Sequence, residues 1–387
     1  MTRGFSQKPL VVLAYIYLLF FSMISTTIAI SLMVLFLVWL STNGILTYAQ
    51  KVLVLVLVSL SLVFNIYNFD PISGVDEQAF FDNLQNFNLY ELLRNELTRF
   101  LIVGGFVSSR ITFSALLSFL LPFPGFSENA FVIVIVNAFF WFLSCKSYLL
   151  SLKSNGYLKD VKLALIFLMS SPTLLYWMGN FGKDVIVISI CLLSAAAYIN
   201  KKYILFLIFL LVALTLRPYS VVVIGCFVFP FCFSYKKIFL LMTFVFVVFF
   251  VGTKFSIIPF INSFIGFIYL FLSPNPFNLS NWSILNETND FLFSPIIMVV
   301  ESLFISLVIF YGMIVKRRWS DKLFKSMIAI YCLSICLVGV GYINSDSNNV
   351  VLSVGNLGDN FIRKKLIVWP LIAIMLSLMF SKGKIRT

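Results

Sequence analysis

Three full charges stand beside helix-breaking residues inside otherwise apolar sequence: Lys183 and Asp184 directly after Gly182, and Arg217 directly before Pro218 and Tyr219. A charge and a broken helix are each costly in a bilayer, so their coincidence needs a reason. Arg offers a planar fork and Lys a point charge, which together make a site for an anion such as a diphosphate. A second group, Asp76 and Glu77, lies in the longest polar stretch. A carboxylate held there is a candidate general base for a sugar hydroxyl, or a group that positions the acceptor. Arg110, in an apolar stretch on the same side, adds a further cation to the anion site.

Each of these residues also has a purely structural reading. Asp184 in a first helical turn complements the helix dipole, Gly179 and Gly182 shape a tight turn, and Lys183 and Arg217 snorkel to headgroups. Pro218 suits a helix start, and Asp76 with Glu77 suits the N-terminus of a surface helix. The pair of cations is more informative than either alone, because basic residues in tight outer turns run against the cytoplasmic bias of Lys and Arg.

The elements that position these groups follow from composition. The 387-residue chain is 61% hydrophobic, with 45 Phe, only 15 acidic residues and a mean hydropathy of +1.02. Such a chain cannot hide its apolar surface in a soluble core, which predicts an all-α, polytopic membrane helix bundle forming one domain over 1–387. The net charge of +13 sits in small basic clusters between apolar runs. That pattern assigns the charge to topology and not to nucleic acid. With no His in the chain, a zinc site or a His-based triad has no base to build on. The six Cys fall in or beside apolar runs without a CxxC pair. No metal or cofactor is expected.

Arg3 and Lys8 precede an apolar run that continues past Met23 without a small-residue cleavage site, which predicts an uncleaved first span. Residues 10–40 make two short spans or one bent one, and 52–69 make a clean span. An outer loop over 70–110 follows, carrying an amphipathic surface helix from Gln78 to about Phe100. Residues 100–121 are re-entrant, interfacial or spanning. Spans over 131–149, 162–177, 185–199, 203–216, 219–235, 238–254, 291–315, 324–343 and 366–380 then alternate, with 257–272 dipping into the membrane from outside. Roughly twelve to fourteen crossings result. Basic clusters at Lys146 to Lys162, Lys201-Lys202, Lys236-Lys237 and Lys316-Arg317-Arg318 mark the cytoplasm, as do both termini. The acidic loop, the Gly182-Lys183-Asp184 turn, Arg217 and a loop over 344–365 all face the other side. At 1.5 Å per residue, Lys183 and Arg217 stand roughly 22 to 26 Å above the inner surface of a core about 30 Å thick, at similar depth on neighbouring helices.

Ser171-Pro172, Trp177, Gly182-Lys183-Asp184 and Arg217-Pro218-Tyr219, preceded by Gly74-Val75-Asp76-Glu77, resemble the bacterial polysaccharide repeat-unit polymerases of O-antigen or capsule (Wzy-type), within the polytopic glycosyltransferases that use polyprenyl-linked donors. The resemblance implies an inner-membrane glycosyltransferase that joins oligosaccharide units carried on undecaprenyl diphosphate at the outer face. Its expected partners are that substrate, membrane lipid, a chain-length regulator protein and a flippase. Asp76, Lys183 and Arg217 are then the catalytic candidates, with Asp184, Glu77, Arg110, Tyr219 and Trp177 binding substrate and Asp184 orienting Lys183. The short segment 344–365 departs from the large Arg-rich late loop of many such polymerases. Two other readings stay open: a polyprenyl-phosphate-sugar transferase adding a single sugar, with Asp76 and Glu77 on a divalent metal, and a flippase for lipid-linked sugars, which is expected to place its charges near the midplane.

Overall fold

The computed structural model describes residues 26–68, 72, 75–85, 94, 113–114, 116–117, 132–179, 182–217, 219–252, 258–274, 276–277, 279–282, 295–315, 320–344 and 359–380. Arg110, the first span and most of 86–131 lie outside them. Among the described residues there are 14 α-helices and no strands. In chain order they are α1 (Thr26–Thr42), α2 (Tyr48–Asn68), α3 (Val75–Gln85), α4 (Val132–Ser154), α5 (Lys162–Ser170), α6 (Pro172–Gly179) and α7 (Asp184–Ile199). Then come α8 (Tyr203–Leu216), α9 (Ser220–Cys232), α10 (Tyr235–Gly252), α11 (Ile258–Leu272), α12 (Pro295–Phe310), α13 (Asp321–Asn344) and α14 (Asp359–Phe380).

Two stretches, Ile133–Ser154 and Ile296–Val315, are long and apolar enough to cross a membrane, and the bent pair α6 and α7 makes a third if counted as one broken span. Apolar stripes on the outside agree. Helix α12 and the π turn after it expose Val300, Phe304, Leu307, Tyr311 and Ile314, a three-to-four-residue repeat that lines one face. Helix α8 exposes Ile204, Leu207, Ile208 and Leu211. Contiguous apolar faces of this kind call for an apolar surrounding.

The centre is held by helices that are apolar all round, as buried helices must be. Helix α7 buries Val185 to Leu192 without a gap and packs on α4, α8 and α9, while α14 buries Lys365 to Ser377 and packs on α5, α11 and α13. Helix α14 runs antiparallel to α5, with Trp369 against Phe167 (5.1 Å between centroids) and Ser377 donating to the Asp160 carbonyl. Helix α11 runs antiparallel to α13: Ser334 donates to the Ser263 carbonyl (2.6 Å), and Phe267 meets Tyr331 one turn along.

An expected span is interrupted and two other segments differ from expectation. The predicted crossing 162–177 is two helices, because Pro172 has no N–H for the preceding turn and Ser171 adopts extended backbone (φ −62°, ψ 121°). Ser171 and Pro172 become the N-cap and first residue of α6, the Leu174 N–H donating to Ser171 Oγ at 3.3 Å. The predicted outer loop 344–365 is also corrected: α14 begins at Asp359, so Lys365 lies inside a helix and is fully buried. The predicted surface helix starts at Val75 rather than Gln78, and its described part ends at Gln85.

Candidate functional site

The Lys183 turn is built by the ends of four helices. Lys183 is the residue before α7 and Asp184 its first, a position where a carboxylate complements the dipole. Arg217 ends α8 in extended backbone (φ −151°, ψ 118°), the conformation that a following proline imposes. Tyr219 precedes α9, and the Ser220 N–H donates to the Arg217 carbonyl (3.0 Å), closing the turn. Arg217 Nη2 lies 3.0 Å from Asp184 Oδ1, an ion pair that ties the end of α8 to the start of α7. The sequence assigned Asp184 to orienting Lys183; the structure adds an ion pair from Asp184 to Arg217.

Arg217 also faces the Tyr219 ring at 5.9 Å. Its Nε is buried and has no hydrogen-bond partner among the described residues. Lys183 is only 6% exposed, and its Nζ lies 5.4 Å from the centroid of the Phe80 ring on α3. That contact docks α3 beside the turn. Asp76 and Glu77 sit in the first turn of the same helix, and Glu77 is partly buried. Trp177 is partly buried on α6, its ring edge-on to Tyr176 at 5.4 Å. The turn thus holds an ion pair and, in Arg217 Nε, a buried guanidinium donor still unused. This arrangement suits a multivalent anion.

A second polar cluster lies at the far end of α6, about 12 Å along its axis at 1.5 Å per residue. Glu301 of α12 accepts from the Thr173 N–H (3.2 Å) and from Thr173 Oγ1 (2.5 Å), at the N-terminus of α6. Trp369 Nε1 donates to Ser171 Oγ (2.9 Å) at the same joint. Lys365 Nζ donates to the carbonyls of Ser273 (2.8 Å) and Phe271 (3.3 Å), at the C-terminus of α11, and to Ser302 Oγ. Its ammonium stands 4.5 Å from the Trp369 ring centroid.

The signs are matched to the ends. An acid caps the positive terminus of α6, half of the interrupted crossing, and a lysine the negative terminus of α11. Where water is scarce, such side chains are what makes a broken helix tolerable. The other freed groups are met in the same way: Trp141 Nε1 donates to the Leu168 carbonyl at the end of α5, and Asn137 Nδ2 to the Met178 carbonyl at the end of α6. Sequence reasoning missed Glu301 and misplaced Lys365. The available signal was a lone acid in the apolar run of α12, which in a membrane segment marks a paired or functional group.

Among the described residues, no cluster of three or more His, Cys, Asp or Glu is placed to hold a metal ion. No protein-family model, curated protein or solved structure matches the chain.

Proposed function

We propose that this chain is a polytopic membrane glycosyltransferase that polymerises oligosaccharide units carried on undecaprenyl diphosphate, with the Lys183 and Arg217 turn gripping the diphosphate. The observation that carries the reading is the guanidinium of Arg217, whose Nη2 is held by Asp184, the chain neighbour of the buried Lys183, and whose Nε is buried without a hydrogen-bond partner among the described residues. In the twelve- to fourteen-span topology this turn lies near the outer leaflet. The acceptor hydroxyl attacks the anomeric carbon, the bond to the diphosphate oxygen breaks, and the hydroxyl proton passes to a base, for which Asp76 on α3 is the candidate. Negative charge grows on the departing diphosphate, where fixed cations stabilise the transition state more than the ground state.

The test is Arg217→Ala in cells that make the native polysaccharide. The protein should reach the membrane at its usual level while the surface carries single units in place of a chain-length ladder. An unchanged ladder refutes the assignment.

A second reading, a flippase for the same lipid-linked sugar, draws support from Glu301 and Lys365, since charged groups at the ends of interrupted helices are a transporter arrangement. The bonds of Lys365 weigh against it: its three ammonium protons have Phe271, Ser273 and Ser302 as acceptors, which leaves it a structural cap. Flux of lipid-linked sugar without glycosidic bond formation in proteoliposomes would favour the flippase.

A further inference from the structure

A groove of about 690 Å³ runs between α4, α7 and α8, at the end of the bundle away from Lys183. One end of it is cationic and polar: Lys153, Lys202, Ser151, Ser154 and Asn200. The other is mainly apolar, walled by Leu150, Leu193, Leu205 and Phe209 with Ser147 among them, and Ala196 and Ala197 make the room. Phe209 is two helical turns beyond Lys202, so the apolar part extends about 10 Å inward. A soluble anion would leave that part empty, and a neutral lipid would leave the lysines without a counter-charge.

The polar end is a built structure. Asn200 Nδ2 donates to Ser151 Oγ (2.7 Å), and Asn155 Nδ2 donates to Asn200 Oδ1 (3.1 Å), tying the C-terminal ends of α4 and α7 together. The turn into α8 is closed by Lys202 N–H to the Ala197 carbonyl (2.8 Å) and Lys201 N–H to the Tyr198 carbonyl (2.9 Å). Lys201 sits there at φ 60°, in the left-handed region where glycine is the usual choice. The chain accepts that backbone with a lysine in place.

We propose that this groove holds an anionic phospholipid, its phosphate between Lys153 and Lys202 and one acyl chain along Leu205 and Phe209. The proposal rests on the topology that places this basic end in the cytoplasmic leaflet, whose surface is negative. It does not rest on the polymerase chemistry, so an unchanged sugar ladder would leave it standing.

The experiment is native mass spectrometry of the purified, delipidated protein with phosphatidylglycerol or phosphatidylcholine added at equal concentration. Wild type should retain phosphatidylglycerol in preference. Lys153→Gln with Lys202→Gln should weaken that retention on the order of tenfold. Lys236→Gln with Lys237→Gln, the same charge loss at an exposed pair on the start of α10, should leave it unchanged. Inorganic phosphate at millimolar concentration should not displace the lipid. Equal retention of both lipids by wild type, equal loss in the two double variants, or displacement by phosphate overturns the proposal. The wild-type comparison stands by itself if the Lys153 and Lys202 variant fails to fold.

Discussion

Arg217 and Asp184 meet at 3.0 Å across 33 positions of sequence, joining the α8–α9 turn to the start of α7. The two side chains are 29% and 16% exposed, so the pair is neither a screened surface bridge nor a fully dry one. It fixes where the guanidinium points while leaving Nε for another acceptor.

A double-mutant cycle separates the two roles. Asp184→Asn should cost about 1–3 kcal/mol of stability, the range for losing one partner of a charged hydrogen bond. Arg217→Gln should cost a similar amount, and the double variant clearly less than their sum. If polymer length falls in step with the stability of each variant, the pair is structural; if Arg217→Gln abolishes polymer while Asp184→Asn, at a similar loss of stability, still makes it, the guanidinium acts on substrate. Thermal unfolding in detergent, run beside gel ladders, reads both.

Glu301 and Lys365 should differ in what they tolerate. Glu301→Gln keeps an acceptor for Thr173 and should lose about 1 kcal/mol or less. Lys365→Met leaves the Phe271 and Ser273 carbonyls buried without their donor and should lose about 3 kcal/mol or more. Detergent unfolding curves check this. Equal tolerance of both substitutions would contradict the capping account.

The joint at Ser171 makes a third case. Ser171→Ala removes both the N-cap of α6 and the acceptor for Trp369, at about 1–2 kcal/mol. Trp369→Phe removes the donor to Ser171 and should show less than additive loss when combined with it, because one hydrogen bond is counted in each single change. Full additivity would mean that the bond contributes nothing.

Much of this was legible in the sequence. Helices α8 and α11 fall within a residue of the expected segments 203–216 and 257–272, because apolar runs bounded by Lys, Pro or Gly leave little choice of ends. Lys183, Asp184 and Arg217 stood out because a charge beside a helix breaker is rare in such sequence. The break at Ser171 did not, since its apolar neighbours continue on both sides and only the Ser-Pro order marks a cap. Glu301 was hidden for a different reason. Its partner is a backbone N–H 128 positions away, and no local pattern encodes that meeting. Lys365 was assigned to a loop because Arg363, Lys364 and Lys365 look like a solvated run, whereas helix α14 turns one of them fully inward.

The central claim is that two cations on neighbouring helix ends grip a lipid diphosphate, and direct titration of the purified protein in nanodiscs with undecaprenyl diphosphate tests it. Wild type should bind the diphosphate more tightly than undecaprenyl monophosphate, and Lys183→Ala and Arg217→Ala should each weaken it roughly tenfold or more, as loss of a charged hydrogen bond implies. Affinities for the diphosphate that are the same in wild type and in the doubly substituted protein would contradict it.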